Sequence, residues 1–194
     1  MSSVTRYTIA DLEDIPTPWD DTRYGLIDGE LHVSPQSHLM HQAVTGSIIL
    51  ALHRWDTENR VGFPIRAPGV IFSPEDSVAP DVVWISRQRL ATGADDNGHI
   101  RTAPELMVEV LSPGTTHQQR DRVAKLRLYS REGVDEYWIV DWESQTVEVY
   151  RRSGAELVRC ETLANGDYLT SPLSLGFSFP VHDLWSTFPQ PKSA

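Results

Sequence analysis

The sequence predicts a mixed α/β fold, in which helices pack against one central mixed sheet. Short apolar runs are typical of buried strands, and two longer stretches repeat apolar residues every three or four positions, as helices do. These elements follow one another as hairpin, helix, three strands, helix and strands. The chain has 194 residues, of which 40% are hydrophobic and 23% charged, a composition typical of one globular domain. We therefore expect a single domain over residues 1–194.

The first predicted element is a hairpin over residues 23–34, because Asp28-Gly29 is a strong signal for a two-residue turn between strands. Glu30 then opens the second strand. A helix is predicted from Ser37 to about Asn59 because apolar residues recur there at helical spacing. These residues are Leu39, Ala43, Val44, Ile48, Leu52 and Trp55.

The remaining elements follow from apolar runs and from residues that end helices. The run at 61–72 is interrupted by Pro and Gly, whereas 78–85 and 105–111 are typical of strands. A second helix is expected from about His117 to Glu132, ending at Gly133 as a left-handed C-cap. Residues 137–141 and 146–150 should pair across a turn. Loops are expected at 13–21, 73–79, 92–103 and 112–116.

Composition excludes several classes of protein. A lone cysteine, Cys160, excludes an internal disulfide framework and a Cys-rich zinc cluster. No leader sequence and no apolar membrane span are recognisable, so we expect a cytoplasmic protein without a membrane partner. The net charge of −10 disfavours tight nonspecific binding to nucleic acid, although a local basic patch could still contact phosphates.

Two acidic residues stand out against apolar surroundings. Glu109 is the only charged residue of the run 106–111, and a buried carboxylate there needs an ion pair or a bound cation. Asp81 stands directly after Pro80, at the entrance to the preceding strand. If the two strands pair antiparallel, Asp81 and Glu109 meet at one end of the sheet.

Converging carboxylates of this kind suit Mg²⁺, which prefers oxygen ligands and keeps several of its waters. The carbonyl group of Val110 could supply another oxygen. Lys125, four residues after Asp121 on the following helix, is the candidate that could orient or deprotonate a water molecule.

These residues lie in ordered motifs that resemble the restriction endonuclease family of the PD-(D/E)XK nuclease superfamily. The resemblance covers roughly residues 24–151, with weaker similarity at 171–176. The matching motifs are Tyr24-Gly-Leu-Ile-Asp-Gly-Glu30, His41-Gln42, Ala79-Pro-Asp-Val-Val83, Val108-Glu-Val-Leu-Ser-Pro113, Asp121, Lys125, Tyr129 and Gly133-Val-Asp-Glu-Tyr-Trp-Ile-Val-Asp141.

The resemblance implies a restriction-endonuclease-like core with an N-terminal hairpin and flanking helices. It also implies an Mg²⁺- or Mn²⁺-dependent endonuclease that hydrolyses nucleic acid, most plausibly DNA, and forms a homodimer. Asp81 and Glu109 would bind the metal. The superfamily lysine two positions after the second acid is absent, because residue 111 is Leu. The resemblance places its role on Lys125.

The resemblance also implies further site residues. It adds Glu30 as a carboxylate beside the metal, and it gives His41 and Asp121 auxiliary roles.

Each candidate residue also has a structural explanation. Glu109 could form a buried salt bridge, Asp81 could be an ordinary strand-end residue, and Glu30 could be only a hairpin residue. Lys125 could pair with Asp121 on a solvated face. The alternative functions are a catalytically silent binding or scaffold protein with this fold, and a hydrolase of a small phosphorylated compound.

Other residues give weaker signals. His38 is expected at the helix start or on the surface, and Tyr137 and Trp138 are expected in the core. A basic stretch on the second helix is the candidate for a phosphate-facing surface. It comprises Arg120, Arg122, Lys125, Arg127 and Arg131.

Overall fold

The computed structural model describes residues 5–15, 22–34, 36–114 and 118–186. The α-helices are α1 (Ile9–Glu13), α2 (Leu39–Asn59), α3 (Arg87–Gly93) and α4 (Leu126–Glu132), and α4 continues a π-helical segment (Arg120–Lys125). The strands are β1 (Arg23–Ile27), β2 (Glu30–Ser34), β3 (Gly62–Arg66), β4 (Val70–Ser73), β5 (Asp76–Val78), β6 (Val82–Ser86), β7 (Leu106–Val110), β8 (Glu136–Asp141), β9 (Thr146–Ser153), β10 (Glu156–Leu163), β11 (Tyr168–Thr170) and β12 (Ser178–Pro180). A short 3₁₀ helix follows at Val181–Leu184.

The larger sheet has six strands in the order β10-β9-β8-β7-β6-β3. Strands β7 and β8 pair in parallel, and the other neighbours in this sheet are antiparallel. Its central strands are apolar because both faces are covered. One face packs against α2 and the 3₁₀ helix, through residues such as Ile48, Val108 and Leu184. The opposite face packs against α4, through residues such as Met107 and Leu128.

The prediction of one central sheet is wrong, because the hairpin belongs to a second sheet. This sheet has four strands in the order β2-β1-β5-β4. Leu26 of β1 pairs with Ser77 of β5, which lies inside the predicted loop 73–79. A strand of three residues is too short to show an alternating pattern, so no residue pattern predicted it. The hairpin therefore faces the six-stranded sheet instead of extending it.

Most other predicted elements are confirmed. Asp28 and Gly29 have φ angles of 51° and 72°, as a hairpin turn between two strands requires. The long helix spans Leu39–Asn59, although Leu39 itself is 73% exposed and does not belong to the core. Strands β8 and β9 pair antiparallel as expected.

Four predictions of secondary structure have other outcomes. Helix α3 begins right after β6 and extends into the predicted loop 92–103, so this helix was missed. Its seven residues are too few to repeat the helical pattern clearly. The start of the second helix at His117, and parts of the loops 13–21 and 112–116, lie outside the described residues. None of the helices in the described ranges is both long enough and apolar enough to cross a membrane.

Gly133 ends helix α4 in the left-handed region, with φ of 90°, and no atom would contact an added Cβ within 4 Å. Gly133→Ala should therefore lower the free energy of unfolding by about 1 kcal/mol, entirely through backbone strain. Gly166 has equally open space without a positive φ, so Gly166→Ala is the matched control and should cost nothing. Urea denaturation measures both variants. Equal stability of the two variants would show that the cap contributes nothing.

Candidate active site

A cavity of about 300 Å³ lies between the hairpin, the start of α2, the ends of β6 and β7 and the π-helical segment. We call it the central cavity. Its charged lining comprises Arg23, Asp81, Glu109, Arg120, Asp121 and Lys125, and three histidines, His32, His38 and His41, also line it. The structure thus brings Asp81, Glu109 and Lys125 to one cavity, together with His41 and Asp121.

The antiparallel register of β6 and β7 brings the two carboxylates together. Val82 pairs with Val108, so Asp81 and Glu109 are the next residues at the same end of this strand pair. Side chains two residues apart on a strand lie on the same face, so Asp81 shares a face with Val83 and Glu109 shares one with Met107. Val83 and Met107 lie on the sheet face covered by α4. Both carboxylates are therefore on the same side of the sheet. The expectation of antiparallel pairing is confirmed.

Lys125 compensates the buried charge of Glu109. Its Nζ lies 2.7 Å from Glu109 Oε2 and 3.0 Å from Asp121 Oδ1. The Tyr129 hydroxyl donates a hydrogen bond of 2.8 Å to Glu109 Oε1. Burial would lower the pKa of Lys125, but the charges of Asp121 and Glu109 outweigh it and raise that pKa above its ordinary value. The lysine therefore carries its positive charge into a buried position.

The two strand-end carboxylates have different environments. Burial raises the pKa of Glu109 to about 7, even though Lys125 opposes this shift. Burial also acts to raise the pKa of Asp81, but a hydrogen bond and the charge of His41, helped by Lys125 and the Val110 N–H, bring it below its ordinary value. His41 Nε2 lies 3.0 Å from Asp81 Oδ2, and the Val110 N–H donates to the same oxygen at 2.9 Å. Asp81 is consequently held as an anion.

Asp121 and Lys125 both lie in the π-helical segment, a rare conformation that is frequent at functional sites. Arg120, in the same segment, contacts Asp121 Oδ1 at 3.2 Å and donates to Ser34 Oγ at 2.9 Å. The segment therefore connects the end of the hairpin to the charged groups of the cavity. The Tyr137 hydroxyl donates to the backbone carbonyl of Asp121 at 3.0 Å, which fixes the segment to β8.

Glu30 is not brought into the central cavity. It opens β2 as predicted, but it is exposed and lines a neighbouring cavity with Asp28, Arg127 and Arg131. We call this neighbour the outer cavity. His32, two residues further along the same face of β2, lines both cavities. The hairpin therefore presents His32, not Glu30, to the buried carboxylates.

The purely structural roles considered for the candidate residues are partly confirmed. Glu109 does form a buried salt bridge, and its partner is Lys125. Lys125 also pairs with Asp121, but this pair is buried, so its predicted placement on a solvated face is wrong. His38 is the N-cap of α2, where its Nδ1 accepts a hydrogen bond from the Met40 N–H, as expected for a helix-start residue.

The basic stretch of the second helix does not form one phosphate-facing surface. Arg122 contacts Glu148 and Asp141, while Arg127 and Arg131 both contact Asp28. Only two members of the stretch, Arg120 and Lys125, line the central cavity. Tyr137 and Trp138 are fully buried, as expected for core residues.

Several lining residues were missed by the sequence analysis. Arg23 lies 3.6 Å from Asp81 Oδ1. Tyr129, noted above only as a motif residue, lies outside this lining and donates to Glu109. The alternation of β1 and β2 could have assigned Arg23, His32 and Ser34 to one face. This alternation identifies residues of the site only when it is known that the hairpin covers the end of β7.

The donor set of the central cavity fits a hard cation of the Mg²⁺ type. Among the described residues, no three His, Cys, Asp or Glu side chains form a group that could hold a metal ion. Two buried carboxylates on one face remain, and one or two carboxylates plus waters are the usual protein ligands of Mg²⁺.

Comparisons with known proteins concern the family and the fold of the chain. A family model named Uma2 and described as "Putative restriction endonuclease" matches residues 9–182. The crystal structure of a putative nuclease belonging to DUF820 from Anabaena variabilis has a TM-score of 0.73, with 20% identity over 92% of this chain and 97% of that chain. At this identity the likeness shows the fold, and the predicted restriction-endonuclease-like fold is confirmed.

A second solved structure is much less similar. The type IIG restriction endonuclease BpuSI has a TM-score of 0.38 and 16% identity, over 75% of this chain and 15% of that chain. No curated protein matches the sequence.

Lys125→Met should lower the free energy of unfolding by about 3 kcal/mol, because it leaves Glu109 buried without its cation. Glu109→Gln should cost less, because Lys125 keeps Asp121 as a partner. The double variant should be more stable than Lys125→Met alone, since the uncompensated carboxylate is gone. Urea denaturation in EDTA measures this cycle. A Lys125→Met protein as stable as the wild type would contradict the role of the lysine.

Proposed function

The chain belongs to the Uma2 family, described as putative restriction endonucleases, and from this premise we propose that it is a metal-dependent nuclease acting on DNA. The observation that carries the proposal is the cavity lined by Asp81, Glu109 and Lys125, in which Nζ of the lysine lies 2.7 Å from Glu109 Oε2. Carboxylates can hold a divalent ion, and a lysine can orient or deprotonate a water molecule. The reaction proposed is cleavage of a phosphodiester bond by water.

Asp81 and Glu109 would hold a Mg²⁺ or Mn²⁺ ion, with the Val110 carbonyl as a further oxygen ligand. When bound, such an ion lowers the pKa of its water and stabilises negative charge on the phosphate. Asp81 is ready for this role because His41 and the Val110 N–H keep it ionised and fix its orientation. Glu109 must lose its proton to become a ligand, since burial raises its pKa to about 7.

Lys125 would position the attacking water. Its Nζ has three protons, and Glu109 and Asp121 accept two of them in the structure. The remaining donor can face the cavity and hold a water oxygen. Arg120 and Arg23 line the same cavity, where their guanidinium groups would contact phosphate oxygens. Glu30 has no part in this mechanism, because it lines the outer cavity.

The net charge of −10 disfavours binding to nucleic acid, but the local charge of the central cavity differs from this net charge. Three cationic side chains, Arg23, Arg120 and Lys125, face three carboxylates there, those of Asp81, Glu109 and Asp121. A divalent cation would make the region positive, and a phosphate group would then be attracted to it. Acidic surface elsewhere weakens nonspecific binding without preventing cleavage.

A catalytically silent binding protein is the second candidate, and one observation favours it. Glu109 already has Lys125 and Tyr129 as partners, and Asp121 has Lys125 and Arg120. These charges are compensated without a metal ion. Metal binding therefore separates the two candidates. The homodimer stays a prediction that the family resemblance alone supports.

Metal binding should raise the melting temperature of the wild-type protein. Mg²⁺ or Mn²⁺ at about 100 times its Kd stabilises a site by about 2.7 kcal/mol. For a chain of this size this corresponds to a rise of about 5–10 °C. Asp81→Asn and Glu109→Gln should abolish the rise in a thermal-shift titration, because each removes a ligand.

Glu58→Gln is the matched control for this titration, because Glu58 is exposed near the end of α2, away from the cavity. It should keep the full metal-induced rise. If the wild type shows no rise with either ion, the silent binding protein is the better explanation.

Cleavage of supercoiled plasmid DNA should require the same carboxylates and the lysine. Asp81→Asn should remove activity, and Lys125→Met should lower the rate at least about 100-fold while retaining the metal-induced rise in melting temperature. Gel assays with plasmid, linear DNA, RNA and nucleotides identify the substrate, with Glu58→Gln as the active control. Cleavage that persists in Asp81→Asn would refute the assignment of this site.

A further inference from the structure

A second cavity of about 300 Å³ adjoins the central cavity, and we call it the flanking cavity. Arg23, Ser37, His41 and Asp81 line both cavities, so they form a shared wall. The flanking cavity is additionally lined by residues of α2 and by the end of β3. None of these additional residues has a role in the proposed hydrolysis.

Two buried polar atoms of this lining have no hydrogen-bond partner among the residues that the structure describes. They are Nδ1 of His41 and Oε1 of Gln42. A buried polar atom without a partner costs about 1–3 kcal/mol, so folded proteins usually satisfy such atoms with water or a ligand. His41 and Gln42 are neighbours on α2, and both line the flanking cavity. A polar occupant of this cavity is therefore expected.

The charged groups of the flanking cavity favour an anion. Arg66 is exposed at the end of β3, and its side chain forms no hydrogen bond or ion pair within the described part of the chain. Arg23 approaches Asp81 only to 3.6 Å, which is longer than a hydrogen bond. The cavity thus has two guanidinium groups and one carboxylate, that of Asp81. Guanidinium groups bind phosphate with paired hydrogen bonds.

The outer cavity offers no comparable site, although it is also lined by arginines. Arg127 and Arg131 both bind the carboxylate of Asp28, and Arg6 contacts Glu75. Their charges are compensated within the protein. Arg66 has no such compensation, so it is the better candidate for a ligand from outside.

We propose that the flanking cavity binds the phosphate group of a nucleic-acid strand next to the phosphate that is hydrolysed in the central cavity. This inference rests on the proposed function, because it assigns the two cavities to successive phosphates of one strand. The shared wall supports the assignment: a strand presents phosphates at short, regular spacing. Arg66 and Gln42 are then substrate-binding residues that do not touch the reacting atoms.

Binding of a fluorescein-labelled single-stranded oligodeoxynucleotide tests the inference, measured by anisotropy in EDTA at several salt concentrations. Arg66→Ala should weaken binding about tenfold and lower the slope of log K against log salt by about one. Arg54→Ala is the matched control. Arg54 is also an exposed arginine without a partner in the described ranges, but it lines neither cavity, so binding should be unchanged.

Gln42→Met provides a second test because it removes the unpartnered oxygen at nearly constant volume. It should weaken oligonucleotide binding without lowering the melting temperature. Arg66→Ala binding as tightly as Arg54→Ala, or a wild type that does not bind the oligonucleotide, would overturn the inference. Cleavage by the wild type would still support the proposed function in either case, because Arg66 is not part of the catalytic machinery.

Discussion

The contact between Lys125 and Glu109 is the constraint on which the site depends. Glu109 lies on a central strand whose neighbours are apolar, and burial there opposes its ionisation. Compensation comes from a cation on the following helix, 2.7 Å away. This contact, with the Tyr129 hydroxyl beside it, ties the helix to the sheet at the end where β6 begins. The positions of these charged groups thus depend on the packing of the helix against the sheet as well as on the attraction between the charges.

Residues from both the six-stranded and the four-stranded sheet line the central cavity. The six-stranded sheet supplies Asp81 and Glu109, which the antiparallel register brings to one end. The hairpin of the four-stranded sheet supplies Arg23, His32 and Ser34 from one face and covers that end. Asp81 and Glu109 therefore come from one sheet and Arg23 from the other, while Arg120, Asp121 and Lys125 come from the π-helical segment.

Sequence patterns predicted the parts of this arrangement that depend on local rules. The apolar run around Glu109 and the position of Asp81 after Pro80 predicted both strands, and pairing then fixed the meeting of the carboxylates. The second sheet could not be predicted, because β5 has only three residues and its partner strand β1 is distant in sequence. Glu30 was misplaced for the same reason: which cavity a hairpin residue lines depends on how the sheets face each other. Arg66 lay in a run without a clear pattern.

The geometry of the site depends on the number of residues in the π-helical segment. Successive residues of an α-helix are rotated by about 100° around its axis. A π-helical turn contains an extra residue, so it offsets the phase of every residue that follows. Asp121 and Lys125 lie within this wider turn, and the Tyr137 hydroxyl anchors its first half. Losing one of the residues 122–124 would change the angle between Asp121 and Lys125 around the helix axis, although every side chain of the central cavity were retained. Helical phase is therefore as much a condition for this site as residue identity.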